Sequence, residues 1–271
     1  LDDVTSFGGE DNSPRQYGKV FVGLKFKDSI TSAVQQSVKD QIVNDLTSNL
    51  SMMSIDTLFV DPETIKLELI TNFNLDPDLT SSTPQSIQVQ VQNVINNFFD
   101  VNLKRFNKVF RRSNLLTLID AIDPAILNSR ISVKMQNSFI PTLNQSLEYK
   151  ISFPAIIASP DDENFIVNTT KFTLNNQSCF IRNRLGSNVL QIIAVDGSIV
   201  SDNAGDFVGA SGTVTIRGFN PSAFEGSSIN VSATPANQST IRPLRNFIID
   251  IDTDASVSVA LLDLQNTANV L

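Results

Sequence analysis

"DTLFVDPETIKLELITNFNL", residues 56–75, holds two strand signals separated by Asp61-Pro62-Glu63. Proline fixes its own φ and disfavours helix at the residue before it, so a turn belongs at 61–63 with a strand on either side. In the second strand Ile65, Leu67, Leu69 and Thr71 alternate with Lys66, Glu68, Ile70 and Asn72, the period of a strand with one buried face.

The signals on both sides of this stretch set the expected topology. "YGKVFVGLKF", residues 17–26, alternates Val20, Val22, Leu24 and Phe26 with Lys19, Phe21, Gly23 and Lys25, which predicts a strand. Ile30, Val34, Val38, Ile42 and Leu46 then recur every four residues, flanked by Ala33 and Val43, and Asp28 or Ser29 can cap the amphipathic helix they predict. Thr83-Pro84 is a good helix start. Ile87, Val91, Val94, Ile95, Phe98, Val101, Phe106, Val109 and Phe110 follow helical spacing with one lapse near Asn102, predicting a helix to Arg112, roughly 40 Å long. A short helix over "LLTLIDAI" and strands at 129–136 and 146–153 complete a β-α-β-β-α-β order with one extra strand. The fold class expected is therefore α+β: a ferredoxin-like split βαβ domain with two long helices over residues 17–153. Residues 1–16 read as a connecting segment. After Pro154 short β-like pieces alternate with Gly, Asn, Asp and Pro, and a boundary near 154–164 predicts a small β-rich domain over 154–271, a sandwich or meander, with a helical stripe only in the last dozen residues.

Composition excludes most enzyme chemistry. The chain has no histidine and a single cysteine, Cys179, which removes disulfides, Cys/His zinc sites and histidine-based triads. Cys179 itself reads as a small buried hydrophobe. A net charge of −8 argues against nucleic acid as a partner, and the basic group Lys104, Arg105, Lys108, Arg111 and Arg112 reads as a solvated or salt-bridging helix face. No apolar run approaches a membrane span. The start at Leu1, without methionine or a basic apolar leader, reads as a fragment of a longer protein.

The remaining candidates are weak. Asp250, Asp252 and Asp254 are spaced like the opening of a calcium loop, but Ala255 and Leu261 stand where glycine and glutamate are required, so an edge strand with solvated aspartates is expected. Asp161, Asp162 and Glu163 could divide acid and base work in a glycosidase, yet the chain has no Trp and two Tyr to hold a sugar, and a solvated linker fits better. Gly205, Gly209 and Gly212 do not join a strand to a helix as a phosphate loop must. No cofactor and no metal is expected. The 18 phenylalanines stand out. Phe98, Phe99, Phe106 and Phe110 crowd the predicted long helix, where core packing and a partner surface remain alternatives.

Two stretches carry a family resemblance. In "FGGEDNSPRQYGKVFV" the residues Gly8, Gly9, Glu10, Asp11, Pro14, Tyr17, Gly18, Lys19, Val20 and Phe21, and towards the other end "SGTVTIRGFNPSAF" and "STIRPLRNFIIDID" with Arg242, Pro243, Arg245 and Asn246, resemble baseplate wedge subunits of T-even-type contractile-tailed bacteriophages, related to the baseplate J-like proteins. The resemblance runs from residue 7 to about 254 and implies the C-terminal part of a longer wedge subunit. It further implies a virion protein of the tail baseplate without enzymatic activity. Such proteins self-associate and link neighbouring wedge proteins into a ring that persists when the baseplate changes shape on host attachment. On this view the acidic glycine loop is a connector, with Glu10 or Asp11 meeting Arg15 or an arginine of another subunit. A non-catalytic surface- or carbohydrate-binding module is the alternative, and an acidic hydrolase the third.

Overall fold

A computed structural model describes residues 1–11, 15–27, 29–49, 56–243 and 245–262, the side chains of 46–49 apart. Pro14, Asp28, the Leu46 side chain and the expected helical stripe beyond residue 262 lie outside the described residues. The chain is mixed α and β, as its periodicities predict. It opens with β1 (Asp3–Gly8), a 3-10 turn at Gly9–Asp11 and β2 (Lys19–Lys25), so the segment read as a connector contains a strand. β1 runs antiparallel to β2, with Asp3 opposite Lys25. α1 (Ser32–Asn49) returns the chain so that β3 (Asp56–Val60) lies parallel to β2 in a three-stranded sheet.

Past Asp61-Pro62 the chain enters a second, thirteen-stranded sheet. There β4 (Glu63–Leu75), α2 (Pro84–Asn102), β5 (Phe110–Arg111), α3 (Arg112–Asp120), β6 (Ile126–Phe139) and β7 (Leu147–Ser152) follow in order, β5 pairing outside that sheet. β4 pairs antiparallel with β6 from Lys66–Gln136 to Leu75–Ile126. The strands expected to share one split βαβ sheet are thus divided: β2 and β3 pair in the small sheet, β4 and β6 in the large one. The proline turn at 61–63 is where the chain changes sheets.

The helix expected to reach Arg112 ends at Asn102. The Leu103 N–H donates to the Phe99 carbonyl at 3.0 Å, the Asn102 side-chain amide folds back on the Phe98 carbonyl at 3.1 Å, and Asn107 adopts φ +57°. The segment that breaks away ties the two sheets together. Lys25 Nζ donates to the Lys104 carbonyl (2.6 Å), the Phe106 N–H to Asp3 Oδ2 (2.7 Å), and the Phe106 ring packs where Gly23 leaves room for it. Phe110 then pairs with Ile241. Phe106 and Phe110 keep the helical spacing past Asn102 because both are buried, but against different partners.

The second half supplies β8 (Val167–Thr169), β9 (Phe172–Leu174), β10 (Gln177–Asn183), β11 (Val189–Ala194), β12 (Ile199–Val208), β13 (Thr213–Phe219), β14 (Ala223–Phe224), β15 (Ile229–Ala233), β16 (Thr240–Ile241), β17 (Phe247–Ile251) and β18 (Val257–Leu262). β10 to β13 form an antiparallel meander. Four further pairings cross the boundary expected near 154–164: β15 lies on β6, β13 on β7, and both β17 and β18 run parallel to β4. One apolar core runs through both halves, including Leu67, Leu69, Phe73, Ile87, Phe99 and Phe110 beside Phe172, Phe207, Val214 and Phe219.

Candidate interaction surface

The sequence-derived candidates divide by burial. Phe99 and Phe110 are fully buried and Phe98 and Phe106 nearly so; Phe98, Phe99 and Phe110 form one aromatic cluster with ring centroids 6.0–6.4 Å apart. These rings fill the space between α2 and the sheet. Glu10 and Asp11 are exposed in the 3-10 turn. No ion pair to either carboxylate occurs among the described residues. Arg245, rather than Arg15, reaches this loop, its Nη2 donating to the Asp11 carbonyl. Gly9 is required there: a Cβ would lie 2.0 Å from the Gln16 carbonyl oxygen, which accepts no such approach. Arg245 itself holds φ +61° between two shallow clefts of about 600 and 530 Å³ that share Ser152 and Phe247 in their linings.

The acidic groups act as local caps. Asp252 is buried, and its Oδ1 accepts from the Asp254 and Ala255 N–H groups at 3.0 and 3.2 Å, shaping the turn from β17 to β18. Asp252 N–H donates to the Leu67 carbonyl and Leu69 N–H to Ser256 Oγ, so this turn fills the gap in the ladder along β4. Asp161 accepts from the Asn164 and Glu163 N–H groups, bonds that hold its carboxyl below the usual value. Among the described residues no group of three His, Cys, Asp or Glu could hold a metal ion. Burial pushes the Cys179 thiol up, which keeps it protonated and a poor nucleophile. Of the basic cluster, Lys104 pairs with Asp100 (2.6 Å) and Asp250 (3.2 Å), and the Asp100 bond raises its ammonium above the ordinary value. Arg112 donates to the Ile131 carbonyl and to Ser239 Oγ.

Two features escaped the sequence reading. Strand registers align Asp250, Lys66, Gln136, Ser232, Asn168, Arg182 and Gln191 in one row across β17, β4, β6, β15, β8, β10 and β11. The Glu68 carboxylate accepts from Gln136 Nε2 (2.8 Å) and from Ser232 Oγ, and Arg182 stacks 4.2 Å over the Phe165 ring. The second is β18, "VSVALL", whose exposed apolar residues carry no charge among them. That signal was present in the sequence, but its edge position depends on pairing with a strand nearly 190 residues earlier.

Residues 66–138, from β4 through α2, β5 and α3 to β6, match the family model described as baseplate structural protein gp6, C-terminal domain III. No curated protein matches the chain. The matched segment contains α2 and α3, whose buried residues join the core, and the match supports a structural component of a bacteriophage tail baseplate, in contact with other baseplate proteins. No helix among the described residues is long and apolar enough to cross a membrane.

Proposed function

We propose that this chain is the C-terminal part of a baseplate wedge subunit of the T-even, J-like kind. It self-associates and links neighbouring wedges into a ring that persists through the shape change on host attachment. The observation that carries this reading is the domain III match over residues 66–138. Supporting it are the residues of "FGGEDNSPRQYGKVFV" and "STIRPLRNFIIDID" at either end of the chain. The role is mechanical and non-enzymatic: a core continuous across both halves of the chain, tied to the small sheet through Lys104 and Phe106, suits a part that must transmit force without unfolding. Glu10 and Asp11 are the members of the original candidate set exposed for contact with another subunit.

The test is a mass measurement of the particle formed when the chain is mixed with neighbouring wedge proteins. A stable complex containing more than one copy of this chain is expected. A monomer that joins no wedge protein would overturn the reading.

A further inference from the structure

Arg245 stands out by its backbone. Five described residues other than glycine hold a positive φ; four are asparagines, which adopt it readily, and the fifth is Arg245 at +61°. Such a conformation persists where the surroundings impose it, and it is concentrated at functional sites. The Arg245 side chain lines both of the clefts of about 600 and 530 Å³. Its Nη2 donates to the Asp11 carbonyl, and no carboxylate is bonded to it among the described residues.

Strand register sets the floor of the larger cleft. β7 and β13 place Lys150 opposite Thr215 and Ser152 opposite Thr213, on the face turned away from the buried Ile151, Val214 and Ile216. β12 extends these two rows with Asp206 and Val208. Arg217 binds both acids of this face, Asp206 at 2.6 Å and Glu148 at 3.5 Å. Lys150 is left exposed, its ammonium without an ion pair or hydrogen bond among the described residues, and no aspartate or glutamate lines the cleft. Ile156 and Val208, 57% and 49% exposed, stand in the same lining. A smaller cleft beside β2 and α1 also holds three lysines, but there Lys25 is paired with Asp2 and Lys39 with Asp61.

We propose that the larger cleft binds an acidic peptide segment of a protein partner, a carboxylate lying between Lys150 and Arg245 and apolar side chains on Ile156 and Val208. A guanidinium takes a carboxylate through paired N–H groups, and an ammonium adds a point charge beside it. The lining selects this occupant over other anions. Inorganic phosphate has nothing to set against Ile156 and Val208. A nucleic-acid backbone, charged at every residue, would run past Arg245 onto Asp61 and Glu63 of the second cleft. A peptide carries acidic and apolar residues side by side and needs no acid beyond Arg245. On a chain of net charge −8 this is a cationic site, and its field steers an acidic partner to it. The site does not depend on the self-association proposed above.

Fluorescence anisotropy of a labelled peptide of alternating glutamate and leucine, titrated with the full chain, is expected to show saturable binding that weakens with salt. Lys150→Glu should raise the Kd at least about tenfold with the thermal unfolding transition unchanged, and Arg245→Gln should weaken binding in the same way. Lys27→Glu, the same charge reversal at the smaller cleft, should leave the Kd within about twofold. The peptide with glutamine in place of glutamate should not bind. Absence of binding to the wild-type chain, or equal weakening by Lys27→Glu and Lys150→Glu, overturns the site. Displacement of the label by oligothymidylate or inorganic phosphate at lower concentration than by unlabelled peptide overturns the peptide as its occupant. Should Arg245→Gln disturb the Gly9–Asp11 turn that it anchors, Lys150→Glu decides.

Discussion

Glu68 stands on the solvent side of β4, yet it accepts hydrogen bonds from two buried side chains, Gln136 and Ser232. Replacing it with Ala strands both donors, and an unsatisfied buried polar group costs about 1–3 kcal/mol. Glu68→Ala is expected to lower the unfolding free energy by an amount in that range, and Glu68→Gln by less; chemical denaturation of the two variants checks the order. Asp202 behaves differently because it is exposed. The Arg184 guanidinium 2.6 Å away, and then the Gln191 amide, hold its carboxyl below the ordinary 3.8. A carboxyl lowered in the folded state contributes above its unfolded value, and that contribution is lost as pH falls through the lower folded value. A carbon-detected NMR titration should therefore find Asp202 ionised below pH 3.8, and Arg184→Ala should move its midpoint upward. Solvent screening keeps the stability effect of this pair small.

α2 begins where its sequence says it does. The Thr83 hydroxyl accepts from the Ser86 N–H at 3.2 Å with Pro84 at the first helical position, a capping arrangement read directly from local chemistry. Its end was not legible, because Phe106 and Phe110 keep the helical spacing while serving other contacts: Phe106 fills the space beside Gly23 of β2, and Phe110 joins the α2 aromatic cluster from β5. Removing a buried phenylalanine typically costs about 3–5 kcal/mol. Phe110→Ser is expected to abolish the cooperative thermal transition, whereas Phe106→Ser should chiefly loosen the small sheet. Hydrogen exchange would report the second as faster exchange in β1 and β2 with β4 and β6 still protected. Equal loss of protection everywhere would mean that the two sheets unfold as one unit.

At the scale of the molecule, the strands expected in one split βαβ sheet are shared between two, and the later β segments are laid along β4, β6 and β7 rather than beside them in isolation. Strand existence was legible: the predicted runs around 17–26, 65–71, 129–136 and 146–153 each contain an observed strand, since alternation of apolar with polar residues is a local property. Partner choice was not, because a strand's edge groups are the same whatever pairs with them, and β17 and β18 find β4 across more than 180 residues. The candidate surface divides the same way. Absence of histidine and the single cysteine removed disulfides, Cys/His zinc sites and histidine-based triads from composition alone, as a missing functional group cannot be supplied by folding. Whether a phenylalanine reached a partner or the core, and which uncharged strand was left at a sheet margin, depended on contacts between residues distant in the chain, and only the tertiary structure brings those together.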